Sequence, residues 1–284
     1  ARLAWLRFES MDRFIVPGNP DDSGAKQDQG RAHALGFRDA LNEHWAWHAA
    51  TGRGFESPTL TEMAYQRGQS GLNLALQSAQ NRQWDTGLKW QQYSTAGLSQ
   101  AQLDLFYLTS ERELVVDSSS GGRTVFKNAA GTRRQGAEFS LQQHLGQAWQ
   151  LAYSLTWLDA QRQGSVQDPS LNGRRPTNVP RWVLRANLSH AVSTVPGLRL
   201  GAHLSHEGRR AVLPDNSIEA GSWTRVDASM RYDTQVQGRP ASWTVAIDNL
   251  FDRRYFKETP YQYEHVYLFP GASRTLRVAF ETNF

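Results

Sequence analysis

The chemistry open to this chain is tested first by its histidines. On a helix, His44 and His48 would lie one turn apart and could share a metal ion. Trp45, Ala46 and Trp47 between them argue for a strand, where the two imidazoles stand too far apart for one ion. His203 and His206 fall on opposite faces of their strand. No G-x-S-x-G, H-E-x-x-H or phosphate-binding glycine loop occurs. His48, His144 and His190 have no serine and acid partners in sequence that would suit ester hydrolysis. Cysteine is absent, which excludes disulfide frameworks, zinc-thiolate sites and thiol catalysis. The expectation is no enzyme, no catalytic residue, no metal site and no cofactor.

Binding chemistry is better represented. Arginine pairs recur at Arg133 and Arg134, Arg174 and Arg175, Arg209 and Arg210, and Arg253 and Arg254. Guanidinium forks take carboxylate or phosphate through paired hydrogen bonds. Facing an interior they would attract an anionic ligand, facing outward they would hold lipid phosphates, and otherwise they are a polar surface. The stretch YQYEHVYLF, if extended, puts Tyr261, Tyr263, His265 and Tyr267 on one side, able to stack on a flat aromatic ligand or to rim a membrane. The candidate ligand-binding residues are Arg174, Arg175, Arg209, Arg210, Tyr261, Tyr263, His265 and Tyr267.

The elements that must position these side chains are strands. Apolar and polar residues alternate with period 2 through Leu103 to Tyr107, Trp149 to Trp157, Trp182 to Leu188, Leu198 to Leu204 and Trp243 to Ile247. About twelve strands are expected, near 1–14, 31–41, 44–55, 84–94, 101–116, 122–143, 148–163, 181–192, 197–213, 222–235, 241–257 and 273–284. Many exceed the ordinary globular strand and suit the ~9–11 residues that cross a bilayer at a tilt. Short turns, as at Asn42 to His44, Gly146 to Gln147 and Ser193 to Pro196, alternate with long polar loops near 17–30, 56–83, 164–180, 214–221 and 258–272. That asymmetry is expected of an outer-membrane barrel. Trp45, Trp149 and Trp243 directly follow short turns, where an aromatic girdle would sit.

Composition agrees. Of 284 residues, 39% are apolar, with ten Trp, and no run approaches the ~18 apolar residues of a spanning helix. The net charge of +4 comes from scattered arginine, which gives little support to nucleic-acid binding. No charged-then-apolar leader begins at Ala1, so the chain reads as a mature or internal piece. The closing TLRVAFETNF places Leu276, Val278, Phe280 and Phe284 on one side and Arg277, Ala279, Glu281 and Asn283 on the other. One side would meet lipid and the other a lumen.

Six stretches in order then resemble one family, the TonB-dependent outer-membrane receptors that import ferric siderophores and similar nutrients. They are TGRGFESPTLTEMAY, WDTGLKW, FKNAAGTRRQGAEFSL, WTRVDASMRY, VAIDNLFDRRYF and FPGASRTLRVAF. Within them, Asp248, Asn249 and Asp252 interrupt the alternation, as a bulge or lumenal hydrogen-bonding node, or as plain turn chemistry. Gly136 would admit a close neighbouring backbone, and Glu138 would face inward beside Ser140.

The resemblance implies an all-β transmembrane antiparallel barrel of about 22 strands with a plug in its lumen. Residues 1–284 then form the C-terminal portion of the barrel, about twelve strands without plug or coupling segment. It also implies outer-membrane localisation in a Gram-negative bacterium and import of a ferric siderophore or similar metal chelate, energised by the TonB complex through the missing plug segment. Leu276, Val278, Phe280 and Phe284 would be the signal read by the barrel-assembly machinery, with outer-membrane lipid and lipopolysaccharide around the wall. The alternatives are a passive porin or diffusion channel, and a membrane-embedded hydrolase.

Overall fold

The computed structural model describes residues 1–16, 21–68, 71–164 and 169–282. Twelve strands form one antiparallel sheet in chain order: β1 (Arg2–Ser10), β2 (Gly24–Ala40), β3 (Trp45–Glu56), β4 (Ala79–Ser94), β5 (Gly97–Glu111), β6 (Gly131–Leu145), β7 (Trp149–Arg162), β8 (Trp182–Ala191), β9 (Leu198–Glu207), β10 (Trp223–Val236), β11 (Arg239–Asp248) and β12 (Thr275–Thr282). Every neighbour in the sheet is its neighbour in sequence, so the sheet is a meander. The end strands β1 and β12 do not pair with one another, and the sheet is open. Among the described residues no helix is long and apolar enough to cross a membrane.

Registers carry the period-2 pattern from strand to strand. Trp45 faces Trp90, Trp90 faces Ala101, Ala101 faces Leu141 and Leu141 faces Tyr153, all on the outer face. At the closing strands Tyr232 faces Trp243, Trp243 faces Phe280, and Val245 faces Val278. Aromatic contacts knit this face, with ring centroids 4.5 Å apart for Trp243–Phe280 and 6.3 Å for Trp157–Trp182. Among the described residues no second layer covers it: Leu276 is 65% exposed, Val278 62% and Phe280 44%. Removing one such side chain from water is worth ~1.5–3 kcal/mol, so a face this broad needs an apolar solvent. A bilayer supplies it.

The opposite, inner face is polar. It presents Lys89, Gln100, Gln102, Ser140, Gln142 and Asn187 around a basin of about 340 Å³. Gly136 lies on this side, where an added Cβ would come within 2.3 Å of the Trp157 carbonyl oxygen and 2.6 Å of the Phe106 ring. The close approach expected there is real. Glu138 also faces inward, opposite Asp104 and Thr156.

Several expected boundaries move. Strands β2 and β4 begin earlier, at Gly24 and Ala79, while the strands expected to reach 213 and 257 stop at Glu207 and Asp248. The second stop has a local cause: Asn249 takes φ 53°, a left-handed conformation that ends strand pairing. The segments expected as strands 101–116 and 122–143 are divided by a separate loop hairpin, in which Leu114–Ser120 pairs with Arg123–Asn128. The sequence missed this loop because its own strands carry β-formers such as Val115, Val116, Thr124, Val125 and Phe126 and extend the flanking strand patterns without a break. Phe284 lies outside the described residues.

A candidate ligand platform built from three loops

The long connections all leave one end of the sheet, and three of them are tied together. They are the loops 163–181, 208–222 and 249–274, between β7 and β8, β9 and β10, and β11 and β12. Their hub is Arg210, 2% exposed. Its Nη2 donates to Glu207 Oε2 at 2.7 Å, and its Nη1 donates to the Lys257 carbonyl at 2.7 Å and to Asn178 Oδ1 at 3.2 Å. Asn178, at φ 62°, also accepts from the Thr259 backbone N–H at 2.7 Å and donates its own N–H to the Ala211 carbonyl at 2.9 Å. Thr259 is fully buried. One arginine and one asparagine therefore hold all three loops.

Beneath the hub, Glu207 uses its second oxygen to accept from Arg185 Nη2 at 2.8 Å. The Arg185 guanidinium lies 5.9 Å from the Trp223 ring centroid, and Trp223 stacks on Tyr255 at 4.5 Å. Gly271 is required there, since an added Cβ would come within 2.1 Å of the Tyr255 ring. Arg225 donates to Asp227 at 3.0 Å on the same wall.

The Asp248, Asn249 and Asp252 triplet is both a turn and a hydrogen-bonded node. Asn249 is 1% exposed; its backbone N–H donates to Asp227, and its side-chain amide donates to the carbonyls of Arg253 and Ala272. Asp252, at φ 50°, accepts from the Arg274 N–H at 2.9 Å. Asp248 takes Arg277 through two bonds, 2.6 and 2.8 Å.

The sequence-derived candidates divide accordingly. Arg210 is sealed inside the hub and has no open face for a ligand. Arg175 is half-buried: it is bonded to Glu219, and its backbone N–H donates to Asn216 at 2.7 Å. Burial, then the nearby charge of Arg181, lowers the Arg175 pKa. Arg174 and Arg209 are exposed on the same loops. The expected row of Tyr261, Tyr263, His265 and Tyr267 does not form. Tyr263 and Glu264, at φ 51° and 64°, make a tight turn that pairs Tyr261 with Val266 and Gln262 with His265. Tyr261 and His265 consequently point to opposite sides of a small hairpin, with Tyr263 at its tip. Arg133 and Arg134 likewise part, Arg134 reaching Glu113 at 3.5 Å and Arg133 reaching Gln161 on the outer face.

The two histidine pairs do not converge. His44 donates to the Gln91 carbonyl at 3.1 Å while His48 lies 3.1 Å from Asp104. His203 meets Asn187 and Ser205, and His206 meets Thr224. Asn178 and Thr259 were not among the candidates. The signal was an asparagine inside the proline-rich PTNVPR, a residue able to take a left-handed turn and cap a neighbouring loop.

Comparisons with known proteins agree with this architecture. Residues 4–250 match the family described as TonB dependent receptor-like, beta-barrel. The chain is 28% identical over 187 residues to the metal-pseudopaline receptor CntO of Pseudomonas aeruginosa, covering 64% of this chain and 25% of that protein. It is 29% identical over 154 residues to the ferrichrome outer membrane transporter/phage receptor of Escherichia coli, covering 53% of this chain and 20% of that protein. Its fold superposes on the siderophore receptor PiuA of Acinetobacter baumannii with a TM-score of 0.74 at 18% identity, over 98% of this chain and 39% of PiuA. The chain spans a quarter or less of these two curated relatives. With a polar inner wall, an uncovered apolar outer wall and long loops gathered at one end, the chain belongs to the TonB-dependent receptor β-barrel family and to the bacterial outer membrane.

Proposed function

We propose that residues 1–284 are the C-terminal portion of a receptor barrel that imports a ferric siderophore or a related metal chelate. The observation that carries this reading is the platform itself. Loops 163–181, 208–222 and 249–274 are latched by Arg210 and Asn178 into one unit above the polar wall. Exposed Arg174 and Arg209, with Tyr263, His265 and Tyr267 on the neighbouring hairpin, then meet ligand, while Arg175 and Tyr261 brace them. Cations and aromatic rings together suit an anionic, flat chelate. The metal is cargo, and the wall needs no cofactor.

Further strands and a plug from the same receptor would cover the open edges of β1 and β12, since each unpaired backbone group facing lipid costs several kcal/mol. The plug segment would pass energy from the TonB complex. Outer-membrane lipid and lipopolysaccharide would surround the wall. Leu276, Val278 and Phe280, outward on β12, together with Phe284, would be read by the barrel-assembly machinery.

A receptor-deletion strain complemented with the full receptor tests this. Uptake of ferrichrome-type, catecholate and carboxylate chelates of radioactive iron is expected for at least one chelate and should stop when the inner membrane is de-energised. Uptake that continues at the same rate without energy would establish a passive channel instead. Arg209→Ala with Tyr263→Ala should weaken chelate binding by at least about fivefold, equivalent to ~1 kcal/mol. Unchanged binding would remove these residues from the site.

A further inference from the structure

We propose that Tyr263 is the specificity-determining residue of the platform, held at the tip of a strained hairpin so that its ring stacks on an aromatic ring of the chelate. This rests on the reading that the loops bind a chelate, and narrows it to one that carries such a ring.

Among the described residues, three hairpins close with a two-residue turn whose central residues are both left-handed. In the first, Ser120 pairs with Arg123 around Gly121 and Gly122, at φ 58° and 79°. In the second, Val236 pairs with Arg239 around Gln237 and Gly238, at φ 52° and 77°. In the third, Gln262 pairs with His265 around Tyr263 and Glu264, at φ 51° and 64°. Such turns match the twist of the strands but need positive φ twice, which is why Asn-Gly and Gly-Gly dominate them. A Cβ in that region crowds the following carbonyl oxygen, and a bulky residue is disfavoured most. Glycine takes one or both places in the first two turns and neither in the third. Tyr263 and Glu264 are the only adjacent non-glycine pair at positive φ among the described residues.

Nothing among the described residues offsets that strain. Tyr263 is 50% exposed and Glu264 is exposed, and neither side chain has a hydrogen bond, an ion pair or a ring stack within the chain. The base of the hairpin, by contrast, is firm. The Tyr267 N–H donates to the Pro260 carbonyl at 2.9 Å, and the Thr259 N–H donates to Asn178 Oδ1 at 2.7 Å, which ties the hairpin to the hub. A turn that Asn-Gly would close without strain keeps a large ring instead, and keeps it open to solvent. Strain with no internal return marks a group retained for contact with something else.

The chemistry at the tip indicates what that is. Glu264, beside Tyr263, repels anions, so charge is not what the tip recognises. The phenol offers a flat face, and Tyr267 and Phe269 on the same loop are 40% and 51% exposed. Aromatic rings prefer offset-stacked or edge-to-face partners. A ligand ring on Tyr263 leaves the negative charge of the chelate to the exposed Arg174 and Arg209. Hydroxamate and citrate complexes have no ring to offer.

The test uses the full receptor in detergent with three ferric probes: a catecholate, a trihydroxamate and citrate. Tyr263→Asn removes the ring and supplies a residue that this turn prefers. It should weaken catecholate binding about fivefold, while proteolysis within 256–270 slows or stays as it was. Tyr263→Phe, which keeps the ring, should recover most of that loss. Glu264→Gly, which relaxes the turn, should slow proteolysis without weakening binding. Undiminished catecholate binding by Tyr263→Asn, a loss matched by faster proteolysis of the hairpin, or an unaltered receptor that binds only the ring-free complexes would overturn the proposal. Failure of the unaltered receptor to bind any of the three would instead strike the chelate-receptor reading on which it rests.

Discussion

Arginines on the two sides of this sheet live under opposite electrostatic terms. On the inner wall and under the loops, Arg185 and Arg210 share Glu207, Arg225 takes Asp227, Arg231 takes Asp233 and Arg277 takes Asp248. On the outer rim, Arg53 and Arg133 rest on glutamine amides, and Arg82 stands opposite Arg53 with no carboxylate. The residue type is the same, and a shift of one position along a strand decides which terms apply. Arg210, at 2% exposure, is sealed and must be neutralised from within, whereas Arg231 and Arg277, at 46% and 65%, keep their carboxylate partners while open to the lumen.

Three substitutions test this contrast. Arg210→Met should have the largest effect, because it leaves Glu207 with one partner and unties the Lys257 and Asn178 contacts. Breaking a buried pair costs ~3–5 kcal/mol, visible as a lower unfolding midpoint of the receptor in detergent and faster proteolysis within 208–222 and 249–274. A midpoint unchanged from the parent protein would show that the hub is not structural. Asn178→Ala should come next, costing ~1–3 kcal/mol by orphaning the buried Thr259 N–H and straining a left-handed position, read by the same two assays. Arg82→Gln should move stability by no more than ~0.5 kcal/mol, and toward gain, since it relieves a like-charge pair. A large loss there would mean that the outer row has an internal partner after all.

Acidification should distinguish the regions most gently. Asp215, on loop 208–222, accepts from the Ser217 backbone N–H and hydroxyl, which hold its carboxyl below the usual range. With the folded pKa depressed, the turn's support is complete above the unfolded value and is lost as pH falls through the folded one. Amide protection in 208–222 should therefore fall in acid, while strands β3 and β4 around Arg53 and Arg82 keep theirs. Equal loss in both regions would contradict the division.

Much of the fold was legible because a barrel strand writes its geometry into residue order. All twelve strands of the sheet were anticipated from alternation, and the lipid-facing set Leu276, Val278 and Phe280 follows from parity alone. The loops were not legible to the same degree. Leu114–Ser120 and Arg123–Asn128 favour extension as barrel strands do yet fold on one another, and YQYEHVYLF turns back at Tyr263 instead of running straight. Local pattern states a preference for extension without naming the partner.

What the sequence alone determined, then, was the family, the sheet and its two faces, because each follows from neighbours along the chain. Which arginines are spent depends on contacts between segments distant along the chain. Arg209 and Arg210 are adjacent in sequence, but one is exposed and the other is sealed between Glu207, Asn178 and Lys257. Arg53 and Arg82 are brought face to face by register between strands. Charge is a property of residues, whereas neutralisation depends on what distant segments place within about 4 Å.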